Sequence, residues 1–289
     1  MMLNMNQQNL GILHPGEMGL SIAASAQNSG HTVYWVSEGR SQKTAERAAR
    51  VGLIDAHTLA ELCATCSAIF SVCPPDAAED VANSVMAHGF TGLYVDMNAI
   101  SPERAMRIGE TMTAHGTRFI DGGIIGGPAW KPNSTWLYLS GGEAQSVADY
   151  FSAGLLETSV IGDSIGKASA LKMCYAAYTK GTTALLCAVL AASEALNVRA
   201  ELNQQWAHDD PKLPEQNAQR VRGVTAKAWR FAGEMEEIAA TFSAAGVPGE
   251  FHMAAEDIYR RIADFKDASA LPSLEEVLAA LLSEREKSS

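Results

Sequence analysis

The segment from residue 11 to residue 19 reads Gly-Ile-Leu-His-Pro-Gly-Glu-Met-Gly, and its glycine spacing is typical of a dinucleotide-binding loop. In the G-x-G-x-x-G fingerprint, one glycine makes a tight turn, the next lets the backbone approach the pyrophosphate, and the last permits close helix–strand packing. Gly16 and Gly19 match the second and third glycines, and His14 stands at the first. The loop lies between an apolar run and a helical segment, which favours nucleotide binding over a plain turn. The residues expected to line the cofactor here are His14, Pro15, Gly16, Glu17 and Met18.

The segment after the second apolar run indicates which dinucleotide this loop would bind. A 2′-phosphate requires a cation and hydroxyl donors, whereas the ribose hydroxyl of NAD requires an acid about 20 residues after the glycines. Ser37, Arg40 and Ser41 supply the first set, and Glu38 fits the second. Because a guanidinium forms charge-assisted hydrogen bonds with phosphate, we predict NADP in preference to NAD.

Two further loops are expected at the same edge of the sheet as the glycine loop. They are Cys73-Pro74-Pro75 and the segment 96–102, which begins Asp-Met-Asn. Ligands of open α/β sheets bind beyond the carboxyl ends of the strands, so these loops are placed to contact the nicotinamide half of the cofactor. The alternative is that the prolines only turn the chain, and Ser101 fits a helix cap better than a ligand contact. The cofactor-binding residues predicted here are Cys73, Pro74, Pro75 and Asn98.

The first half of the chain must supply the scaffold for these loops. Short apolar runs bounded by turn or polar residues alternate with alanine-rich segments of helix length, such as 18–28 and 76–88. This alternation is typical of βαβ units with a parallel sheet, so residues 1–163 are predicted to form a Rossmann-like, doubly wound α/β domain. The predicted strands are Leu10–Leu13, Thr32–Val36, Ala68–Val72 and Leu93–Val95, with Trp136–Leu139 and Ser159–Ile161 as candidates for extending the sheet.

The second half of the chain has no further strand pattern. An almost unbroken helical pattern runs from about residue 164 to residue 196, and further helices are expected at 217–245 and 250–265. Ser273 and Glu276 form a capping box that predicts the start of a last helix. Residues 164–289 are therefore predicted to form an all-helical domain for substrate binding and dimerisation.

The composition limits the classes of partner. The chain has 22 Lys and Arg residues against 33 Asp and Glu residues, a net charge of −11, which argues against nucleic acid or an anionic membrane as the main partner. No signal peptide or membrane span is visible, so a cytoplasmic protein is expected. Cys63 and Cys66 form a CxxC pair without a second pair or a nearby histidine, so we expect buried thiols and no metal site.

Three segments of the chain carry a family resemblance. They are the glycine loop at 11–19, the segment 119–127 (Phe-Ile-Asp-Gly-Gly-Ile-Ile-Gly-Gly) with the following 135–142, and the segment 166–172 (Gly-Lys-Ala-Ser-Ala-Leu-Lys). In this order they resemble the β-hydroxyacid dehydrogenase superfamily, which includes 3-hydroxyisobutyrate dehydrogenase, glyoxylate reductase and the N-terminal domain of 6-phosphogluconate dehydrogenase, and the second is similar to its substrate motif DAPVSGG. The resemblance covers nearly all of residues 9–181. Beyond it, the chain is similar to a poorly characterised C-terminal domain of NAD(P)-dependent oxidoreductases.

The resemblance implies roles for residues in the last two markers. Lys172 matches the catalytic lysine of the family, the general acid and base for hydride transfer, whereas Lys167 and Lys180 are expected to reach solvent. Ile125 stands where the family has a substrate-binding serine, and Tyr175 stands near the position of its usual asparagine. These departures favour a larger or more apolar carbonyl or hydroxyl compound, or an imine, over a small carboxylate. The predicted substrate-binding residues are Ile124, Ile125, Gly126, Tyr175, Tyr178 and Trp206.

The sequence thus predicts an NADP-dependent oxidoreductase that transfers a hydride between the nicotinamide and an alcohol/carbonyl pair of a small molecule. An imine reductase on the same fold is the first alternative, and a sensor that binds NADP without turnover is the second. The resemblance also implies a homodimer or homotetramer assembled through the helical domain.

Overall fold

A computed structural model describes residues 7–283, and these residues form one eight-stranded sheet and eleven α-helices. The strand order is β3-β2-β1-β4-β5-β6-β7-β8. Strands β1 to β6 run parallel, β7 is antiparallel to β6, and β8 is parallel to β7. The strands are β1 Asn9–Ile12, β2 Thr32–Trp35, β3 Ile54–Asp55, β4 Ala68–Ser71, β5 Leu93–Asp96, β6 Arg118–Gly126, β7 Thr135–Ser140 and β8 Glu157–Gly162.

The helices of the first half connect successive strands, and those of the second half follow β8 without further strands. This arrangement confirms the predicted fold class, a doubly wound sheet followed by helices. Short 3₁₀ turns lie at Pro75–Ala77 and Ala263–Asp267. The α-helices are α1 Glu17–Asn28, α2 Gln42–Arg50, α3 Leu59–Thr65, α4 Ala78–Ala87, α5 Pro102–Ala114, α6 Ala144–Asp149, α7 Lys167–Ala195, α8 Arg199–Asp209, α9 Leu213–Ala244, α10 Glu250–Arg261 and α11 Leu274–Leu282.

The sheet is buried on both faces, which is why its central strands read as unbroken apolar runs. All four residues of β4 and of β5 are buried. One face packs against α1 through a core that includes Leu10, Ile12 and Phe70, and the other forms a second core with Ile69 and Tyr94. Between β1 and β4 the strand order reverses, and at such a switch point a crevice opens at the carboxyl ends of the strands.

Strand β6 includes residues 122–126 of a glycine-rich segment in which the sequence analysis predicted no strand. The segment pairs with β5 on one side and β7 on the other, and its residues 119–125 are buried. A strand with so many glycines carries little apolar signal, so the pattern did not predict it. The glycines of β6 let the neighbouring backbone lie close to the strand. A Cβ atom on Gly122, for example, would lie 3.0 Å from the carbonyl oxygen of Asp96. The two-residue strand β3 was also missed.

The chain divides into two compact units between Met173 and Cys174, inside helix α7. The boundary predicted from the sequence lies ten residues earlier, in the turn that precedes this helix, where the strand pattern ends. Since α7 is continuous across the division, no change of composition marks it. No helix within residues 7–283 is long and apolar enough to cross a membrane.

The second unit is helical, as predicted, and two of its details test the sequence analysis. Ser273 and Glu276 form the predicted capping box at the start of α11. The prediction that the Lys180 amine reaches solvent is wrong, because Lys180 forms a largely buried ion pair with Glu234 and lies over the ring of Phe231.

Candidate functional site

The loop between β1 and α1 has the backbone of a phosphate-binding corner. Gly16 is the N-cap residue of α1, and a Cβ atom built on it would meet no heavy atom within 4 Å among the described residues. Gly19 has no such freedom, since its Cβ atom would lie 2.6 Å from the carbonyl oxygen of His14. Gly16 therefore leaves room for a ligand at the positive end of a twelve-residue helix, and Gly19 lets helix and strand pack closely.

His14 occupies the first glycine position of the fingerprint in a backbone conformation that favours glycine, with φ at 124°. Its ring is largely buried, and its Nδ1 atom has no hydrogen-bond partner among the described residues. Burial and, to a smaller extent, the positive charge of Arg40 together lower the pKa of His14 to about 4. The ring is therefore neutral at physiological pH.

The loop between β2 and α2 brings Arg40 towards the glycine loop. The Arg40 charge lowers the pKa of His14, and Cys73 opposes the lowering of the Arg40 pKa by burial, so the guanidinium is close enough to both residues to interact with them electrostatically. The turn that carries it is closed by a hydrogen bond from the backbone nitrogen of Arg40 to the carbonyl oxygen of Ser37, at 3.0 Å. Gly39 in this turn has a φ of 69°, which suits glycine.

The two serines beside Arg40 already have partners within the protein. Partial burial raises the pKa of Asp55, but hydrogen bonds from Ser37 and His57 outweigh it and hold this pKa below its ordinary value. Ser41 caps α2, and its hydroxyl accepts a hydrogen bond from the backbone nitrogen of Thr44 at 3.3 Å. A phosphate bound at this turn would share the Ser37 hydroxyl with Asp55 and the Ser41 hydroxyl with the start of α2. Glu38, in the same turn, is exposed.

Asn98 ties together the loops that follow β4 and β5. Its side-chain oxygen accepts a hydrogen bond from the backbone nitrogen of Cys73 at 2.7 Å, and its amide nitrogen donates to Ser71 and Asp96 at 3.1 Å each. These bonds occupy the Asn98 side chain, which is buried. Asn98 therefore positions the Cys73-Pro74-Pro75 loop, where Cys73 and Pro74 are partly or fully exposed and Pro75 is buried.

Asp96, at the end of β5, is a buried acid that the sequence analysis did not identify as a site residue. Burial and the negative charge of Asp121 raise its pKa to about 7, against hydrogen bonds from Asn98 that favour the charged form. The two carboxyls lie on adjacent strands in register. A strand that ends on an aspartate was the available signal, but burial of the carboxyl is visible only in the fold.

Asp121, on β6, holds the first turn of α7. One carboxylate oxygen accepts hydrogen bonds from the backbone nitrogens of Gly166, Ala168 and Ser169, at 2.9, 3.0 and 3.1 Å, and from the Ser140 hydroxyl at 2.9 Å. Its other oxygen accepts a hydrogen bond from the Ser169 hydroxyl at 2.6 Å. These contacts satisfy donors that the start of a helix would otherwise leave unpaired, and they place a negative charge at its positive end.

The same strand fixes the position of Lys172 on α7. A Cβ atom on Gly123 would lie 2.6 Å from the carbonyl oxygen of Ala168 and 3.1 Å from the Cβ atom of Lys172. The helix therefore lies directly on the glycine backbone of β6, with Lys172 above it and partly buried. Lys167, one and a half turns earlier, is exposed as predicted.

The predicted substrate residues of β6 lie on different faces of the strand. Ile124 packs in the core with Leu137 and Leu139, so its side chain is not available for substrate contact. Ile125 is on the opposite face, which is that of Gly123 and Lys172, because side chains alternate along a strand. Gly126 has a φ of 118°, and a side chain there would meet the backbone of Ser134, so the position requires glycine, and its contact with substrate stays a prediction.

The other three predicted substrate residues belong to the second compact unit. Tyr175 and Tyr178 lie on α7 and are exposed, and Trp206 is partly buried on α8. Their role in substrate binding stays a prediction.

Comparison with known proteins places the chain in a family. Residues 9–153 match the family model of the NAD-binding domain of 6-phosphogluconate dehydrogenase, and residues 194–262 match a domain of unknown function. The chain belongs to this family of NAD-binding domains. The predicted resemblance to the β-hydroxyacid dehydrogenase superfamily is thereby confirmed.

Individual relatives agree with this assignment. An uncharacterised 28.5 kDa protein of Methanothermus fervidus is 30% identical over 165 residues, and the match spans 57% of this chain and 63% of that protein. A solved structure of a conserved protein of unknown function, described as similar to 3-hydroxyacid dehydrogenases, has a TM-score of 0.65 at 26% identity and covers 89% of this chain and 97% of its own.

Two solved structures of enzymes share the fold at lower identity. The 3-hydroxyisobutyrate dehydrogenase of Mycobacterium tuberculosis, solved with L-serine, has a TM-score of 0.68 at 17% identity and covers 96% of this chain and 100% of its own. A reductive aminase of Aspergillus terreus in complex with NADPH has a TM-score of 0.56 at 18% identity and covers 95% of this chain and 99% of its own.

Proposed function

We propose that this protein is an NADP-dependent oxidoreductase that interconverts an alcohol and a carbonyl compound. The observation that carries the proposal is the placement of Lys172 over Gly123 on β6, a strand of the same parallel sheet whose first loop has the open corner at Gly16. The family match supports a nicotinamide cofactor in this sheet. When bound, that cofactor supplies or accepts the hydride.

Three features of the chain fit a dinucleotide phosphate. The free space at Gly16 lets the backbone approach a pyrophosphate, and the start of α1 provides its positive end. Arg40 supplies a cation next to this corner, at the place where a 2′-phosphate is distinguished from a hydroxyl. Glu38 and Arg40 are both exposed in this turn, so the preference for NADP rests on the positive charge of Arg40 next to the glycine loop.

Lys172 is proposed to hold and move the proton. Reduction of a carbonyl requires a proton at the oxygen as the hydride arrives at carbon, and oxidation of an alcohol requires its removal. The lysine is partly buried on a helix that Asp121 holds in place, so its amine is supported from a rigid segment.

The substrate is proposed to be less polar than the small hydroxy acids of the family. Ile125, whose side chain is buried, presents an alkyl group on the Lys172 face of β6, at the position of the family's substrate-binding serine. Its β7 neighbour in register is Trp136, which is partly exposed. Ile125→Ser should therefore raise turnover of short hydroxy or oxo acids relative to bulkier substrates, and an unchanged ratio would place Ile125 outside the substrate site.

A panel assay tests the activity and separates it from the alternatives. NADPH oxidation is followed with aldehydes, ketones, 2-oxo acids and cyclic imines, and Lys172→Ala is compared with Lys167→Ala on the same helix. We expect carbonyl reduction that falls by about 10²–10⁴ in turnover in Lys172→Ala and is unchanged in Lys167→Ala. Turnover of imines that survives the loss of Lys172 would favour an imine reductase, and tight NADPH binding without turnover would favour a sensor.

We also propose that copies of the chain associate through α7. Several of its exposed residues are apolar and recur at intervals of four and seven, which places Tyr178, Leu185 and Val189 on one helix face. Such a stripe is typical of a helix that pairs with another. Leu185→Glu should reduce the mass measured by light scattering after gel filtration, and a monomeric wild type would refute the proposal.

A further inference from the structure

His14 combines two unfavourable features in one residue of the glycine loop. Its backbone φ of 124° is a region that side-chain-bearing residues rarely adopt, and the fingerprint would place glycine there. Its Nδ1 atom is buried without a partner among residues 7–283. Glycine at this position would avoid both.

The backbone of His14 is held in this conformation from both sides. The preceding residue, Leu13, donates a hydrogen bond from its backbone nitrogen to the carbonyl oxygen of Phe70 at 3.0 Å. The carbonyl oxygen of His14 accepts a hydrogen bond from Gly16 at 2.7 Å and lies against Gly19, where a Cβ atom would be only 2.6 Å away. The strained conformation is therefore imposed by the loop that shapes the phosphate corner, and the histidine ring is carried with it.

The ring that results is suited to a polar, negatively charged ligand. Burial, assisted by the positive charge of Arg40, keeps the imidazole neutral, and the same positive charge would attract an anion to this place. A buried nitrogen without a partner is costly, so such an atom normally binds water or a ligand. Because this one lies at the loop where a pyrophosphate is expected, a ligand group can supply the missing partner.

We propose that His14 binds the dinucleotide, through a hydrogen bond between Nδ1 of its neutral ring and the phosphate–ribose portion of the ligand. This inference rests on the proposed function, since it requires that the loop bind a nicotinamide dinucleotide. It assigns the histidine as a ligand contact in place of the first glycine of the fingerprint, which ordinarily contributes only its backbone.

Four variants separate the ring from the strain. His14→Gly removes both, and His14→Ala removes the ring but keeps a Cβ atom in the strained conformation. Asn, whose amide reaches the position of Nδ1 and which tolerates positive φ, is the conservative replacement, and Gln, whose amide extends further, is its control. Dissociation constants for NADPH and NADH are measured by calorimetry, and unfolding by thermal denaturation.

The expected pattern differs between binding and stability. His14→Gly and His14→Ala should both bind NADPH about ten-fold more weakly, the usual effect of one hydrogen bond, although the glycine variant unfolds at the higher temperature because it relieves the strain. His14→Asn should recover part of the affinity and His14→Gln should not. Equal losses for NADPH and NADH would assign the contact to the pyrophosphate or ribose, and a loss confined to NADPH would assign it to the 2′-phosphate.

Two outcomes would overturn different conclusions. If the wild type binds neither NADPH nor NADH, the proposed function fails, whatever His14 does. If the wild type binds and His14→Gly binds equally well, the ring makes no ligand contact and water satisfies its Nδ1 atom.

Discussion

Removal of the Asp121 side chain tests whether one buried carboxylate holds helix α7 on the sheet. Asp121→Ala deletes the acceptor of five hydrogen bonds, three of them from backbone nitrogens, and leaves their donors buried, although the backbone nitrogen of Ala168 also donates to the Ser140 hydroxyl at 3.0 Å. Each hydrogen bond to a charged group contributes about 1.5–3 kcal/mol by mutation, but the five share one acceptor and cannot be added. Breaking a buried charged network costs about 3–5 kcal/mol, and we expect a loss of stability in that range.

Asp121→Asn should lower the free energy of unfolding much less than Asp121→Ala does. One carboxylate oxygen accepts four of the five hydrogen bonds, so an amide oxygen in its place keeps all four. The amide nitrogen then faces the Ser169 hydroxyl, which can rotate and accept. Only the charge at the helix N-terminus is lost, and its effect is typically about 0.3–1 kcal/mol and reaches about 2 kcal/mol in partly buried geometries.

Urea denaturation measures these free energies of unfolding, with the slope against urea checked for constancy. Asp149→Ala is the matched control, because Asp149 is exposed and its carboxylate accepts a hydrogen bond from the exposed side chain of Gln145. Its variant should stay within about 0.5 kcal/mol of the wild type. A loss below about 1 kcal/mol in Asp121→Ala, or equal losses in the alanine and asparagine variants, would refute this account of the helix start.

Three further predictions concern the cofactor corner and the buried acid beside it. Gly16→Val should fold normally, because the φ of −72° at Gly16 suits any residue and a Cβ atom there has free space, but the variant should not bind a dinucleotide. Gly142 also has free space for a Cβ atom, and Gly142→Val should keep dinucleotide binding. Arg40→Ala should weaken NADPH about ten- to a hundred-fold and NADH little, whereas Lys43→Ala, which removes an equal charge from α2, should affect neither by more than about two-fold. Asp96→Asn should gain stability relative to the wild type as pH rises from about 4 to about 7, measured by urea denaturation of both proteins across that range.

The elements that the sequence predicted well are those whose signal is local. Strands β1, β2, β4 and β5 are apolar runs because both faces of the sheet are covered, and α7 follows from its length and alanine content. Strand β6 escaped prediction because its glycines are required by contacts with residues far along the chain. Gly123 must admit the backbone of α7, and no local pattern contains that requirement.

The candidate site was predictable to the same extent. Loops that follow parallel strands converge at one edge, so the positions of His14, Arg40 and Cys73 follow from the strand assignments alone. Asp121 was not identified, because its partners on α7 lie 45 to 48 residues away. Ile124 was assigned to the substrate from its place in a motif, and only the alternation of β6 shows that it faces the core.

The pH dependence expected for Asp96 follows from comparing its folded and unfolded states. Its pKa is about 7 when folded and near 3.8 when unfolded, so between these values the unfolded chain releases a proton that the folded protein keeps. Stability therefore falls as pH rises through this window, by up to about 1.4 kcal/mol per pH unit, and levels off above it.

His14 acts in the opposite sense. Its pKa is lowered to about 4 in the folded protein, so between that value and its ordinary 6.5 the unfolded chain binds the extra proton, and stability rises with pH. The two slopes offset each other in the wild type, whose own curve can be nearly flat. The informative quantity is the difference in unfolding free energy between Asp96→Asn and the wild type. That difference should shift in favour of the variant from pH 4 to pH 7 and then stay constant, and a difference that does not change with pH would show that Asp96 is already ionised in the folded protein near its ordinary pKa.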